Sequence, residues 1–433
     1  MKKLHTSLLI SLISFPLLAC QPSEPQIDRA DVERIITTLS ADEMQGRRTF
    51  TPGIEKAAQF IQDEFEKIGL ETLEGLDSYA QAFHVYSLSP ESRNVVLNGQ
   101  EIPGDRYFTS VNREALSWTT EDAVDVHTVG PQDDLRDVFS SLRQSRSDAL
   151  VLVDESHADL FNRFRSFFSG ASRTMDLGRG GNAVYILTAD REARTYAVEV
   201  KNNVTERGLA NVAGQITGHR TDEIVLFSAH YDHIGIRPAV EGDSIANGAN
   251  DDASGTTAVI ALANYFKQQG QPERTLLFVA FTAEEMGGYG SQYFSRQLDP
   301  EQIVAMFNIE MIGKPATEGP NTAWITGFER SDFGEILQRA VEGTPFAFYP
   351  DPYPDQNLFY RSDNATLARL GVPAHSISTT PIDVDPDYHQ VSDEVETLDL
   401  EHMTNTILAI SQGAATIVSG QATPTRVDVS QVR

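Results

Sequence analysis

The stretch that decides the fold reads Glu-Ile-Val-Leu-Phe-Ser-Ala over residues 223–229 and continues as His-Tyr-Asp-His over 230–233. Its apolar part predicts a buried strand. An apolar helix predicted over Gly255–Lys267 follows it, and two more apolar strands are predicted over Thr275–Phe281 and Val304–Ile309. Because continuous apolar strands alternating with helices must be covered on both faces, we predict an α/β fold with a central β-sheet between two layers of helices.

The first twenty residues have the features of an export signal. Lys2 and Lys3 precede an apolar run from Leu8 to Ala19, and 12 residues are too few for a membrane-spanning helix. The run ends in Leu-Leu-Ala-Cys20, which resembles the bacterial lipobox, in which the cysteine is lipidated. We therefore expect a lipoprotein of the bacterial cell envelope, attached to the membrane only through Cys20. The alternative is an ordinary signal peptide that happens to contain a cysteine.

The residues after the cysteine and the cysteine count refine this expectation. Residues 21–23 lack the aspartate that typically follows the cysteine of lipoproteins retained in the inner membrane, which favours the outer membrane, facing the periplasm. Cys20 is the only cysteine of the chain, so an intramolecular disulfide is impossible even in an oxidising compartment.

The remaining chain is long enough for two domains or for one large domain with an insertion, since 433 residues usually exceed a single core. Helices are predicted over Ala30–Leu39 and Gly53–Ile68, and a strand over Tyr79–Leu88. From Pro90 to Asn203 short strands alternate with polar loops that carry no catalytic cluster, which indicates an inserted, smaller β-rich domain. The predicted divisions are 1–20 for the signal peptide, 21–89 for N-terminal helices and the first strand of the catalytic domain, 90–203 for the inserted domain, and 204–433 for the rest of the catalytic domain.

The charge balance excludes one class of partner. Lysine and arginine number 34 against 62 aspartate and glutamate residues, which gives a net charge of −28, while 40% of the residues are hydrophobic, as in globular proteins. Nucleic acid is an unsuitable partner because phosphate binding requires a basic surface. Electrostatic docking on anionic lipid is disfavoured for the same reason.

Histidines and carboxylates follow several of the predicted strands. They occur in the segments 230–233, 247–255, 284–285 and 387–390 and at Glu310. Because ligands of α/β proteins collect beyond the carboxyl ends of strands, we expect these side chains to meet in one site. Imidazole nitrogens and carboxylate oxygens form a ligand set suited to zinc.

A site for two zinc ions needs one carboxylate that bridges them and further ligands for each ion. We predict that Asp251 bridges, that His230 and Glu310 complete the first ion's protein ligands, and that Glu285 and His389 complete those of the second. Open positions on both ions would hold a water or hydroxide nucleophile. Glu284 is then free to act as general base and later as general acid.

These motifs, in this order, resemble the co-catalytic di-zinc aminopeptidase family, which includes bacterial leucyl-type aminopeptidases and relatives of glutamate carboxypeptidase and the transferrin receptor. The resemblance covers Asn211–Leu398 well and Ala30–Leu88 weakly. It implies a mixed, zinc-exopeptidase-like central sheet, two Zn²⁺ ions per chain, and peptide substrates that lose their N-terminal residue. The inserted region resembles, loosely, the protease-associated domain that many relatives carry at this point, which would act as a lid or substrate filter.

The resemblance also assigns roles to individual residues. Those matching the family's motifs are His230 and Asp232 of H-x-D, with Asp232 orienting His230; Asp251, the bridging ligand before a cis peptide at Asp251–Asp252; Glu284, the catalytic base; Glu285, Glu310 and His389, metal ligands; and Tyr388, a donor to the substrate carbonyl. Glu310 stands where the family more often has aspartate. Arg361 belongs to a segment that resembles R-S-D-H and is a candidate substrate-binding residue. Asn364 stands where that segment has histidine.

Several alternatives stay open. His233 could be a metal ligand, but packing of its loop is favoured because His230 already fills that place, and for Asp252 a structural role is favoured. A carboxypeptidase or dipeptidase of the same clan would need a cation such as Arg361 for a terminal carboxylate. A glutaminyl-cyclase relative would use one zinc, and a non-catalytic binding module would show gaps in a ligand set that is complete here.

Overall fold

The computed structural model describes residues 26–431. The α-helices of these residues are α1 (Arg29–Leu39), α2 (Pro52–Ile68), α3 (Leu135–Gln144), α4 (Ala158–Phe168), α5 (Ser254–Gln268), α6 (Tyr289–Ser295), α7 (Phe333–Ala340), α8 (Asn364–Ala368) and α9 (Leu400–Val418). The strands are β1 (Ala80–Leu97), β2 (Gln100–Glu101), β3 (Tyr107–Ser110), β4 (Ala115–Thr119), β5 (Asp125–Val129), β6 (Ala149–Val153), β7 (Ser172–Thr174), β8 (Ala183–Leu187), β9 (Tyr196–Ile216), β10 (Arg220–His230), β11 (Gly235–Val240), β12 (Asp243–Ala246), β13 (Arg274–Phe281), β14 (Ile303–Ile309), β15 (Thr322–Ile325), β16 (Ala347–Pro350) and β17 (Ala374–Ser378). Among residues 26–431, every helix is too short or too polar to cross a bilayer. The predicted signal peptide and Cys20 lie outside the described residues.

A large mixed sheet organises the molecule. Its strands follow the order β16-β15-β17-β14-β10-β13-β9-β1-β2, with β4 paired to β9 and β7 paired to β1. Strands β13, β10, β14 and β17 are parallel, whereas β9 and β15 run antiparallel to their neighbours β13 and β17. The predicted α/β fold with a mixed central sheet is therefore confirmed.

Helices cover both faces of this sheet, and β10 shows why. Its residues Val225 and Phe227 pack in one hydrophobic core with apolar side chains of α1, α2, α5, α7 and α9. The residue between them, Leu226, packs in a second core with Phe294 of α6 and Leu367 of α8. Because both sets of alternating side chains are buried, the strand is apolar throughout.

The N-terminal helices belong to the first of these cores. Helix α2 begins at Pro52, whose missing N–H is harmless in the first turn, and it ends at Ile68. Gly69 has a φ of +78° and donates its N–H to the carbonyls of Phe65 and Glu66. This left-handed conformation favours glycine and ends the helix where the sequence predicts.

The region between residues 90 and 203 has a sheet of its own, with strand order β3-β8-β6-β5. It is attached by a long antiparallel ribbon of β1 and β9, whose pairing runs from Ala80 opposite Val212 to Leu97 opposite Tyr196. The ribbon continues through positions 90 and 203, with a bulge between Pro90 and Ser92. Helices α3 and α4 are additional to the strands that the sequence predicts for this region.

Candidate metal centre

The parallel strands bring the predicted ligands to one edge of the central sheet. His230 is the last residue of β10, Glu284 and Glu285 follow β13, and Glu310 directly follows β14. Asp251 lies in the turn that leads into α5, and the peptide bond after it is cis. Because parallel strands share the direction of their carboxyl ends, these loops start at the same level.

The distances divide the ligands into two groups that share Asp251. Oδ1 of Asp251 lies 3.3 Å from His230 Nε2, and that nitrogen lies 3.4 Å from Glu310 Oε1. Oδ2 of Asp251 lies 3.1 Å from His389 Nε2, which is 3.3 Å from Glu285 Oε1. The two oxygens of one carboxylate thus face two different histidine–glutamate pairs, in the pairing that the sequence predicts.

His233 lies closer to this centre than the sequence indicates. Its Nδ1 is 2.9 Å from Glu285 Oε1 and 3.8 Å from Asp251 Oδ2. Although these atoms are close, their geometry is unsuitable for a hydrogen bond. Within residues 26–431, neither ring nitrogen of His233 forms a hydrogen bond, and Glu285 Oε1 accepts none. Unpaired buried polar atoms are costly, and a cation between these groups would satisfy them. Together with Asp251 and Glu285, His233 could therefore hold a metal ion.

The carboxylate of Asp252 is occupied by main-chain groups. Its Oδ1 accepts from the N–H of Gly255 and of Met311, both at 3.0 Å, and its Oδ2 accepts from the N–H of His230 at 3.2 Å. These bonds tie residues 247–253, which we call the metal loop, to the ends of β10 and β14. The structural role favoured from the sequence agrees with this placement, although Asp252 also lies near His230 and Glu310.

The resemblance implies that Asp232 orients His230, and the structure shows that its main chain, not its side chain, contacts the His230 ring. The ring nitrogen Nδ1 of His230 lies 3.1 Å from the main-chain carbonyl of Asp232 but 3.9 Å from its carboxylate. The carboxylate instead accepts from the N–H groups of Glu284 and Glu285, at 3.0 and 3.3 Å. The main chain of Asp232 therefore orients His230, while its side chain positions the two glutamates. Burial raises the pKa of Asp232 to about 7.

Glu284 and Tyr388 line a cavity together with the candidate ligands His230, Asp251, Glu285, Glu310 and His389. Burial raises the pKa of the Glu284 carboxyl well above its usual range, and the nearby carboxyls of Asp363 and Glu310 add to that effect. Burial also raises the pKa of Tyr388, so its hydroxyl stays a hydrogen-bond donor at neutral pH. The Tyr388 ring stacks on His389, with 4.0 Å between ring centroids.

Residues 361–364 lie partly at the cavity and partly in the protein interior. Arg361 lines the cavity and has no carboxylate within 4 Å among the described residues. Ser362 donates from Oγ to Glu310 Oε2 at 2.7 Å, a contact that the sequence analysis missed. Asn364 is fully buried and donates to the carbonyls of Phe359 and Ala374, so the residue that departs from the R-S-D-H pattern is structural here.

Arg47 is the most consequential residue that the sequence analysis missed. Its guanidinium is fully buried beneath the metal loop. It donates to main-chain carbonyls, at 2.5–2.8 Å, of Leu39, Tyr231, Asn247 and Gly248. Arginine is rarely buried, and no local pattern marks this one, so only the contacts reveal it.

Asp393 holds the same loop from the other side. Its two carboxylate oxygens accept from the N–H groups of Asn250 and Asp251, at 2.8 and 3.0 Å. Arg47 and Asp393 thus satisfy carbonyls and amides of one turn, and together they fix where the Asp251 carboxylate points.

Comparison with known proteins gives a family match for the part of the chain that carries this site. Residues 211–413 match the model of Peptidase family M28. A probable leucine aminopeptidase 1 of Trichophyton verrucosum (strain HKI 0517) is 29% identical over 196 residues, which cover 42% of this chain and 52% of that protein. Leucine aminopeptidase 1 of Coccidioides posadasii (strain C735) is 28% identical over 231 residues, covering 49% and 57%. The chain thus spans about half the length of these curated relatives.

Solved structures show the same fold. An aminopeptidase from Aneurinibacillus sp. strain AM-1 aligns with a TM-score of 0.54 at 18% identity, covering 94% of this chain and 96% of its own. BSAP, a zinc aminopeptidase from Bacillus subtilis, also gives 0.54 at 18% identity, covering 95% and 100%. At this identity the likeness establishes the architecture.

Replacing Arg47 with alanine should unfold the metal loop. At least three buried carbonyls would lose their donors, at roughly 1–3 kcal/mol each, so we expect a loss of at least about 3 kcal/mol of stability and of bound metal. Urea denaturation and elemental analysis measure both. Arg29→Ala, an exposed change on α1, is the control and should change neither. Full metal content in Arg47→Ala would contradict the assignment.

Proposed function

We propose that this protein is a zinc-dependent aminopeptidase, on the premise that residues 211–413 match Peptidase family M28. The observation that carries the proposal is the Asp251 carboxylate, whose two oxygens face His230 and His389 separately, each beside a glutamate. A bridging carboxylate with a separate histidine–glutamate pair on each side fits two zinc ions, because each ion then has two further ligands of its own. The reaction is hydrolysis of the first peptide bond of a substrate.

The donor set would hold one ion through His230, Asp251 and Glu310, and a second through Asp251, Glu285 and His389, with His233 adjacent. Bound zinc would supply a water acidic enough to act as nucleophile at neutral pH. Nitrogen and carboxylate donors suit this metal, and the unpaired atoms of His233 and Glu285 indicate where a cation is needed.

The chain's own groups would then move the proton and stabilise charge. Glu284 would accept the proton of the attacking water at its carboxylate and pass it to the leaving amine. Its placement depends on Asp232, which accepts from its main-chain N–H. The Tyr388 hydroxyl, kept protonated by burial, would donate to the carbonyl oxygen as negative charge develops there.

The cavity supports removal of an apolar N-terminal residue. Trp324, Leu358 and Ile382 form an apolar part of its wall, and the relatives are named leucine aminopeptidases. The free α-amine of the substrate would be held by the carboxylates at the metal centre. Burying an apolar side chain against such a wall stabilises the complex in proportion to the area removed from water.

The second candidate is a carboxypeptidase or dipeptidase of the same clan. Arg361 favours it, since this guanidinium lines the cavity and could hold a terminal carboxylate. We place it second because Arg361, which is exposed, is the only arginine or lysine among the described residues that line this cavity.

We also propose that the mature protein is attached to the bacterial envelope through a lipid on Cys20, with the catalytic part in the periplasm. The support is the sequence Leu-Leu-Ala-Cys20 after a short apolar run. Metabolic labelling with a tagged fatty acid should mark the wild-type chain and leave Cys20→Ala unmarked, with Cys20→Ala released from the membrane fraction. Equal labelling of both chains would refute the anchor.

Hydrolysis of a panel of aminoacyl-p-nitroanilides tests the central proposal. We expect the full-length protein in mild detergent to release p-nitroaniline, with leucine and other apolar residues preferred. A chelator should abolish the activity and added Zn²⁺ should restore it. Cleavage only of peptides with a free C-terminal carboxylate would favour the carboxypeptidase instead, and inertness of the zinc-loaded protein toward the whole panel and toward peptides would refute the exopeptidase.

Substitution of Glu284 and Asp251 separates the base from the metal ligand. Glu284→Gln should retain both metal ions yet lose roughly 10²–10⁴-fold in kcat, because the amide cannot accept the proton. Asp251→Asn should lose metal as well as turnover. The control Glu335→Gln, an exposed change on α7, should match the wild type in both measurements. Turnover near the wild-type level in Glu284→Gln would rule out its role as base.

A further inference from the structure

A second cleft opens at the candidate metal centre. It has a volume of about 1350 Å³ and is open to solvent. Glu285 lines both this cleft and the cavity that is lined by His230, Asp251, Glu310 and His389, so the two spaces meet at the candidate metal centre. A substrate whose first residue occupies the cavity has this cleft available for the rest of its chain.

Four arginines line this cleft, which we call the arginine cleft: Arg48, Arg173, Arg207 and Arg237. Among the described residues that line it, Glu285, a candidate metal ligand, is the only acidic one. In the described part of the chain, none of the four guanidinium groups has a carboxylate within 4 Å, although the protein carries 62 acidic residues. Their charges are therefore available to a ligand.

Neighbouring groups hold some of these side chains in place. The guanidinium of Arg207 lies over the Phe50 ring, 5.3 Å from its centroid. Gly235 has a φ of +76°, and a Cβ added there would lie 2.5 Å from the Cβ of Arg48. Glycine at this position therefore leaves the room that the Arg48 side chain occupies.

The four residues come from distant parts of the chain. Arg173 lies in β7, within the inserted region, and Arg207 lies in β9 just after that region, whereas Arg237 lies in β11. The ribbon of β1 and β9 and its partner β7 thus carry two of the cations to the metal centre. This convergence gives the inserted region a chemical connection to the site.

We propose that the arginine cleft binds carboxylates of the substrate beyond the scissile bond, so that the preferred substrates are peptides with acidic residues after the first position. This rests on the proposed aminopeptidase function and adds a substrate class to it. Arginine suits the task because its planar guanidinium pairs with carboxylates through two hydrogen bonds. A lysine-rich peptide would be repelled by the same four charges.

Matched tetrapeptides test this specificity. We would measure kcat/KM for release of leucine from C-terminally amidated Leu-Glu-Glu-Glu, Leu-Gln-Gln-Gln and Leu-Lys-Lys-Lys, using the full-length protein in detergent. The acidic peptide should exceed the neutral one by roughly tenfold, since each partly exposed ion pair contributes a few-fold at most. The lysine peptide should be the poorest, and salt should reduce all differences.

The double variant R173Q/R207Q should bring the ratio of kcat/KM for the glutamate and glutamine peptides close to one. R136Q/R163Q is the matched control, because it removes the same charge from exposed positions on α3 and α4. The control should keep the wild-type ratio. Since misfolding would lower turnover of both peptides equally, the ratio separates recognition from stability.

The outcomes also separate this proposal from the aminopeptidase itself. Cleavage of leucyl-p-nitroanilide without any preference for acidic peptides would overturn the arginine cleft and leave the function standing. If no peptide is cleaved, binding of labelled Leu-Glu-Glu-Glu and Leu-Lys-Lys-Lys, measured by fluorescence anisotropy, tests the arginine cleft without turnover. Tighter binding of the acidic peptide, lost in R173Q/R207Q, supports the cleft, and equal binding of the two peptides overturns it.

Discussion

The buried guanidinium of Arg47 is the constraint on which the metal centre depends. A charged group without water is costly unless its donors are satisfied, and here main-chain carbonyls on both sides of the site satisfy them. Burial lowers the pKa of Arg47, whereas the carboxylates of Asp393 and Asp251 favour its charged form. Since one guanidinium contacts both the residue after His230 and the loop that presents Asp251, it fixes the separation of two ligands. Arg47 precedes the segment 211–413, so the N-terminal helices are part of the site's framework.

The second constraint is the common level at which the parallel strands end. In the register of the sheet, His230 pairs with Phe281, and Ser228 pairs with Asn308, which lies two residues before Glu310. The ligand loops therefore leave the sheet side by side, and short loops suffice to bring nitrogen and oxygen donors within 3–4 Å. The apolar strands below them fix this geometry, because a one-residue slip in register would exchange the side chains that pack in the two cores.

The placement of the ligands at the ends of buried strands explains which features could be predicted from sequence. Strands β10, β13 and β14 are recognisable because burial on both faces leaves uninterrupted apolar runs, and His230, Glu285 and Glu310 stand directly beyond those runs. Arg47, Asp393 and Ser362 could not be found in this way, since they act through contacts with residues distant in sequence that leave no periodic pattern. The closeness of His233 to Glu285 is likewise a property of the folded loop. Helix α4 lies in a stretch that the sequence analysis assigns to short strands and polar loops, although Phe161, Phe164 and Phe168 have helical spacing.

The distribution of charge connects the fold to substrate selection. A net charge of −28 disfavours binding of a polyanion to the surface as a whole. Within a cleft the local charge differs from the net charge of the chain. At physiological ionic strength, charges beyond about 8 Å are largely screened, so only nearby groups contribute. Near Glu285 a peptide bound as proposed would therefore meet chiefly Arg48, Arg173, Arg207 and Arg237 rather than the acidic surface. The ribbon of β1 and β9 is long enough to contribute to both the central sheet and this cleft. On the proposed function, the inserted region would select substrates without supplying a catalytic residue.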